Sequence, residues 1–323
     1  MPDRCPAPPA VIAVQPEVSR HHLTVHGQPM SYLEAGRQSD GPVVVLVHGL
    51  GSNAATWLDL MALLGPHVHV VAPDLLGHGQ SGAPRRGDYS VGGHASRLRD
   101  LLRAMGLARA SVVGHSFGGG VAMSFAYQFP ERADSLVLIS SGGLGPELSI
   151  ALRAACLPGV ALTAQSLTTL APGWIVHLAR YGAMRMGWAP PIELVRLGRI
   201  LRSLTDPDAR RVFLHTLRGA VSWSGQRLDA TDLLYLLAEL PALLIAGRRD
   251  RCIPHRHTLL AHQALPGSRL AVLEAGHFPH SEHPEQVAEL ILDLLAASSA
   301  AAAATVVVQA AAPAPHGADR AAS

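Results

Sequence analysis

One serine in this chain stands where a nucleophile is wanted. The apolar run Ala110-Ser111-Val112-Val113 leads into Gly114-His115-Ser116-Phe117-Gly118, and Val121 to Phe129 follows with the composition of a helix. A buried strand feeding a helix through Gly-x-Ser-x-Gly would leave the Ser116 hydroxyl exposed on a sharp corner. At 114 and 118 a side chain would collide with neighbouring backbone, which is a reason for glycine at both places. An ordinary glycine turn is the competing interpretation in a chain with 31 glycines.

A serine hydroxyl is a weak nucleophile at neutral pH. It needs a general base within hydrogen-bond reach and a third group to orient that base. His277 lies in Glu274-Ala275-Gly276-His277-Phe278, just after the strand-like run Arg269 to Leu273. Asp250 lies in Gly247-Arg248-Arg249-Asp250, just after the strand-like run Ala242 to Ala246. Three side chains from three strand ends would then converge on one edge of a sheet. A carboxylate at a strand end also commonly caps the next helix. Arg248, Arg249 and Arg251 crowd Asp250 and could divert it, although solvent is the expected place for their guanidinium groups.

The negative oxygen of a tetrahedral intermediate needs preorganised N–H donors. One would be the backbone amide of Phe117, directly after the nucleophile. The other would be the amide of Leu50, in the turn His48-Gly49-Leu50-Gly51. His48 and His115 read as packed, structural histidines. His280 and His283 lie on the way into a helix, and no metal-type spacing accompanies them.

Strand-like and helix-like segments alternate before these motifs. His22 to His26 and Met30 to Ala35 predict a hairpin turning at Gly27-Gln28-Pro29, and Val43 to Val47 predicts a strand buried on both faces. Ala54 to Leu64 reads as a helix, Val68 to Ala72 as a strand, Val91 to Met105 as an amphipathic helix and Ser135 to Ile139 as a strand. This order predicts a mostly parallel, doubly wound α/β sheet. From Leu144 to about Leu240 the periodicity is helical, broken at Pro158, Pro172, Pro190-Pro191 and Pro207, with no convincing strand. The αβ rhythm then resumes, with helices expected over His255 to Ala264 and Pro284 to Leu295.

The expected organisation is a flexible segment over 1–20, a core formed by 21–143 and 241–296, a helical cap over 144–240 and an Ala-rich flexible tail over 297–323. An insertion after a strand's carboxyl end lands above the crevice where ligands bind. Trp174, Met184, Met186, Trp188 and Trp223 fall in the expected cap, where they either pack cap to core or line an apolar pocket. Arg196, Arg199 and Arg202, at helical spacing, read as a solvated face.

Composition narrows the classes. The 323 residues are 48% hydrophobic and 15% charged, with a formal charge of +2, which argues for a globular protein and against nucleic acid as a partner. All basic residues are Arg, which removes lysine-dependent chemistry. Cys5, Cys156 and Cys252 suit neither a disulfide framework nor a metal knuckle and fit a reducing compartment. No secretory signal or membrane span is expected, and the cytoplasm is the default location.

Across about Leu23 to Leu295 the chain resembles the α/β-hydrolase superfamily, of the capped serine-hydrolase type. The matching motifs are His48-Gly49-Leu50-Gly51, Asp74-Leu75-Leu76-Gly77-His78-Gly79-Gln80-Ser81, Gly114 to Gly118, Gly247 to Asp250, and Gly276-His277 with Pro284-Glu285. The resemblance implies Ser116 as nucleophile, His277 as base then acid, Asp250 as orienter and an oxyanion hole from Leu50 and Phe117. The stretch Asp74 to Ser81 looks like the family's structural loop, with His78 outside the chemistry. The expected activity is cleavage of a carboxylic ester of a small or medium apolar acyl compound, without a cofactor. A carbon–carbon hydrolase acting on a ring-cleavage diketo acid is the runner-up. Its relatives usually carry a longer Gly/Pro-containing oxyanion turn. An acyltransferase would use the same triad, and the oligomeric state stays open.

Overall fold

The structure, a computed structural model, describes residues 17–157, 159 and 192–311. Eight strands form one sheet: β1 (Ser19–Val25), β2 (Gln28–Ala35), β3 (Val43–Val47), β4 (His69–Pro73), β5 (Ala110–His115), β6 (Ala133–Ile139), β9 (Ala242–Gly247) and β10 (Arg269–Leu273). Between β6 and β9 lies a separate two-residue hairpin, β7 (Val221–Ser222) and β8 (Gly225–Gln226). The order across the large sheet is β1-β2-β4-β3-β5-β6-β9-β10. β2 pairs antiparallel with β1 and β4, and every other pairing is parallel. This is the α/β-hydrolase fold expected from the motifs.

Pleating explains how one short run serves two cores. Successive strand residues point to opposite faces, so Val45 and Val47 enter one apolar layer while Val44 and Leu46 enter the other. The first layer is closed by α2 (Val91–Ala104) and α3 (Phe117–Gln128), through Leu98, Leu101, Val121 and Phe125. The second is closed by α1 (Leu58–Leu64) and the C-terminal helix α9 (Pro284–Ala311), through Leu60, Met61, Leu64, Val287 and Ile291. With helices on both faces, a central strand such as β3 can be apolar throughout.

Several expected boundaries move. The first hairpin turns at His26-Gly27, both with positive φ (51° and 70°), and Gln28-Pro29 already belongs to β2. The helix expected at Ala54 begins as a 3-10 turn over Ala54–Trp57. The helix after Ser116 starts at once, at Phe117 rather than Val121, because Gly118 to Gly120 are enclosed and need no polar face. α9 continues past Leu295 to Ala311, since alanine has the highest intrinsic helix propensity.

Between β6 and β9 the described elements are α4 (Ile150–Ala155), α5 (Ile192–Ser203), α6 (Pro207–Ala220), the hairpin β7–β8 and a 3-10 helix over Thr231–Leu237. Asp206 caps α6 by accepting from the Ala209 N–H, with Pro207 in the first helical turn. The hairpin was not expected, for its strands are too short to show a two-residue period. Trp174, Met184, Met186 and Trp188 lie outside the described residues. The remaining helices, α7 (Arg256–Ala264) and α8 (Pro279–Glu282), follow β9 and β10.

Candidate active site

Ser116 closes β5 with φ 55° and ψ −120°, a conformation that residues bearing a Cβ rarely adopt. Its surroundings hold it there. The Ser116 N–H donates to the Ile139 carbonyl at 3.1 Å, and its own carbonyl accepts from Gly119 and Gly142, each at 2.9 Å. A Cβ on Gly114 would stand 2.3 Å from the Gly118 oxygen, and one on Gly118 would stand 2.2 Å from the Val47 oxygen. Both glycines are therefore demanded by close backbone approach, and the hydroxyl is carried to the N-terminus of α3, where helix N–H groups are free.

His277 comes from the loop after β10. Ser116 Oγ donates to His277 Nε2 at 3.1 Å, and His277 Nδ1–H donates to Asp250 Oδ2 at 2.8 Å. The other Asp250 oxygen accepts from the N–H groups of Cys252 (2.7 Å) and Ile253 (2.9 Å). The Asp250 side chain is 1% exposed. Burial on its own would raise the Asp250 pKa, yet His277 and the two backbone donors hold it below the ordinary carboxylate value. Burial also works against the His277 imidazolium, but the Cys252 sulfur and the Asp250 carboxylate outweigh it and hold its pKa well above 6.5. The flanking arginines do not divert Asp250. Arg248 pairs with Glu274 at 2.6 Å, and Arg249 donates to the Glu274 carbonyl.

His115, beside Ser116, reaches the same loop. Its Nε2–H donates to the His277 carbonyl at 2.7 Å, which fixes the His277 peptide. A carbonyl can only accept, so the proton sits on Nε2. Burial drives the His115 pKa down to about 3, and the ring stays neutral. Behind it the His280 ring packs, tilted, against both His115 (4.6 Å between centroids) and Trp57 (4.3 Å).

The turn His48 to Gly51 lies alongside Ser116, for a Cβ on Gly49 would be 3.2 Å from Ser116 Cβ. Two bonds set this turn against the loop after β4. His48 Nε2 accepts from the Leu75 N–H at 3.0 Å, and its Nδ1–H donates to the Gly49 carbonyl at 2.8 Å. Asp74, fully buried, accepts from the Ala54 N–H (2.7 Å), the Gln80 N–H (3.0 Å) and Arg20 (2.8 Å). Burial would raise its pKa, and these donors, with His48, bring it below the ordinary value. Among the described residues the Leu50 amide has no backbone acceptor, and Phe117 is the first residue of α3.

A family model described as alpha/beta hydrolase fold matches residues 42–284. The chain belongs to the α/β-hydrolase family. An uncharacterized protein of Mycobacterium tuberculosis is 42% identical to it over 276 residues, covering 83% of this chain and 78% of the relative. The 2-hydroxymuconate semialdehyde hydrolase of Pseudomonas putida is 30% identical over 275 residues, covering 80% of this chain and 89% of that enzyme. Among solved structures, a membrane phospholipase A superposes with a TM-score of 0.68 at 25% identity, covering 87% of each chain.

In this α/β-hydrolase two sequence expectations near the site need correction. Arg196 on α5 is not part of a solvated face. Arg199 and Arg202 are exposed, but Arg196 turns inward, donates to Ser281 Oγ at 2.8 Å and lies over the Phe278 ring at 5.8 Å. The three-residue spacing leaves one member of the row facing the core, a choice decided by contacts far away in the chain. Trp223 is 54% exposed beneath the Arg153 guanidinium, so it lines no pocket. Among the described residues there is no cluster of metal-ligating side chains and no helix long and apolar enough to cross a membrane. His94, buried on α2, carries no signal in the sequence, because a histidine on an amphipathic helix does not stand out by itself.

Proposed function

We propose that the protein is a serine hydrolase that cleaves a carboxylic ester of a small or medium acyl compound through an acyl-enzyme. The observation that carries this reading is the unbroken chain from Ser116 Oγ through His277 to the buried Asp250 carboxylate. Ser116 attacks the carbonyl while His277 accepts its proton. The same proton then passes to the leaving alcohol, and water releases the acyl group by the reverse sequence. Asp250 keeps Nδ1 protonated so that Nε2 is the basic nitrogen. The Leu50 and Phe117 amides receive the developing oxyanion, aided by the positive end of α3.

Carbon–carbon bond hydrolysis is the second reading, favoured by the 30% identity with 2-hydroxymuconate semialdehyde hydrolase. It would use the same serine. The test is labelling of Ser116 by a fluorophosphonate, together with turnover of a short-chain aryl ester beside a vinylogous diketo acid. Ser116→Ala should abolish both labelling and turnover in a protein that still folds. Retained turnover would defeat the assignment, and turnover of the diketo acid alone would move the reaction to carbon–carbon cleavage.

A further inference from the structure

Three imidazoles stand in a row beside the proposed oxyanion hole. The centroids of His48 and His78 are 5.3 Å apart, those of His78 and His94 are 6.3 Å apart, and His94 meets the Phe117 ring edge-on at 5.7 Å. All three rings are buried, with His94 1% exposed. Burial lowers the pKa of each, that of His78 to about 3, so the rings are neutral.

A neutral imidazole offers one N–H donor and one lone pair, and its partners decide which nitrogen is which. His48 is satisfied at both, donating to the Gly49 carbonyl and accepting from the Leu75 N–H. His78 is not. Its Nδ1–H donates to the Leu76 carbonyl at 3.2 Å, which leaves Nε2 a lone pair that meets no donor among the described residues. At His94 neither nitrogen has a partner among the described residues, so one N–H and one lone pair are unused there. The Thr216 hydroxyl, one turn along α6 from the Val212 that packs on Gly77, is also buried and without a partner among the described residues. Buried polar atoms in folded proteins almost always find a partner, and a local concentration of unmet ones points to a missing group.

The required chemistry of that group follows from the tautomers. It must give a hydrogen to His78 Nε2 and take one from the N–H of His94. A hydrocarbon can do neither, a carboxylate has no hydrogen to give and an ammonium has no lone pair. A hydroxyl does both, as water does, and a substrate hydroxyl would take water's place there. We propose that the acyl group of the natural substrate carries a hydroxyl that is held between His78 and His94. The proposal rests on Ser116 being the acylated residue, for the acyl chain must run from there past Phe117.

The experiment compares kcat/KM for 4-nitrophenyl esters of straight-chain acids with esters of the same acids bearing a hydroxyl at successive carbons. At one position the wild-type enzyme should favour the hydroxylated ester by about 10- to 100-fold, because the plain chain leaves the site's polar groups unpaired. His94→Phe should bring that ratio to about one. Competitive inhibition of the wild-type enzyme by free hydroxy acids and by plain acids gives the same comparison without a variant, should His94→Phe not fold. Equal or faster turnover of the plain esters at every position would overturn the proposal and leave the serine hydrolase standing, with water filling the site. A preference that survives in a folded His94→Phe protein would also overturn it. Failure of Ser116 to take a fluorophosphonate would instead remove the hydrolase reading and this inference with it.

Discussion

Asp250→Asn separates the chemistry of the site from its stability. The two Asp250 oxygens have different work: Oδ1 accepts from the Cys252 and Ile253 N–H groups, and Oδ2 accepts from His277 Nδ1. In the Asn variant the amide oxygen can keep both backbone donors, which turns the NH2 toward His277. Two donors cannot share one bond, so Nδ1 must give up its hydrogen and become the acceptor. Nε2 then carries the hydrogen and faces Ser116 Oγ as a donor, unable to act as base. Loss of the correct tautomer in a serine triad lowers kcat by roughly 10⁴-fold, or about 5 kcal/mol of barrier. Asp250→Ala would in addition strand the Cys252 and Ile253 N–H groups and destabilise the fold by about 1–3 kcal/mol each. The assay is kcat for a short-chain aryl ester alongside thermal melting. Asp250→Asn should melt near the wild type and turn over about 10⁴ times more slowly. Activity within tenfold of the wild type would refute the orienting role and show that His277 is positioned by its backbone alone.

The pH profile should carry the same signature. Because the His277 pKa is raised, its neutral, basic form is lost as pH falls through a value above 6.5, and kcat/KM should decline on an acid limb lying above that pH. The stability contribution has the opposite sense, being fully present below pH 6.5 and lost as pH rises through the folded value. An acid limb below 6.5 would contradict the ion-pair environment. Gly118→Ala should be among the most damaging single-atom additions, since its Cβ would meet the Val47 and His48 oxygens at 2.2 and 2.5 Å. Neither oxygen can yield without moving β3, so a loss of about 3 kcal/mol or more, or failure to fold, is expected in denaturant melts; a neutral effect would mean that the corner is looser than described.

The residues at the site were legible because each sits at the end of a short apolar run. Hydrophobic runs announce strands, and parallel strands of one sheet deliver their carboxyl ends to one edge. Ser116, Asp250 and His277 could thus be brought together without knowing which strands are neighbours. The neighbours themselves were not legible: β2 lies beside β4 rather than β3, a pairing that no local pattern encodes. The two-residue strands β7 and β8 are shorter than any period. The inward turn of Arg196 depends on Ser281 and Phe278, more than eighty positions along the chain. The unpaired nitrogens of His78 and His94 are properties of packing, invisible until the neighbours of each ring are known.

The bond from His115 to the His277 carbonyl has a mechanical consequence. β10 is an edge strand, paired among the described residues with β9 alone, and its residues are all at least partly open to solvent. A side chain suspended from such a margin would wander whenever the margin frayed. By clasping the loop from β5, in the middle of the sheet, His115 transfers the anchorage of His277 from the rim to the hub, and the alignment of His277 with Ser116 can outlast local opening at the edge. Amide exchange in β10 should accordingly run faster than the rate at which activity is lost.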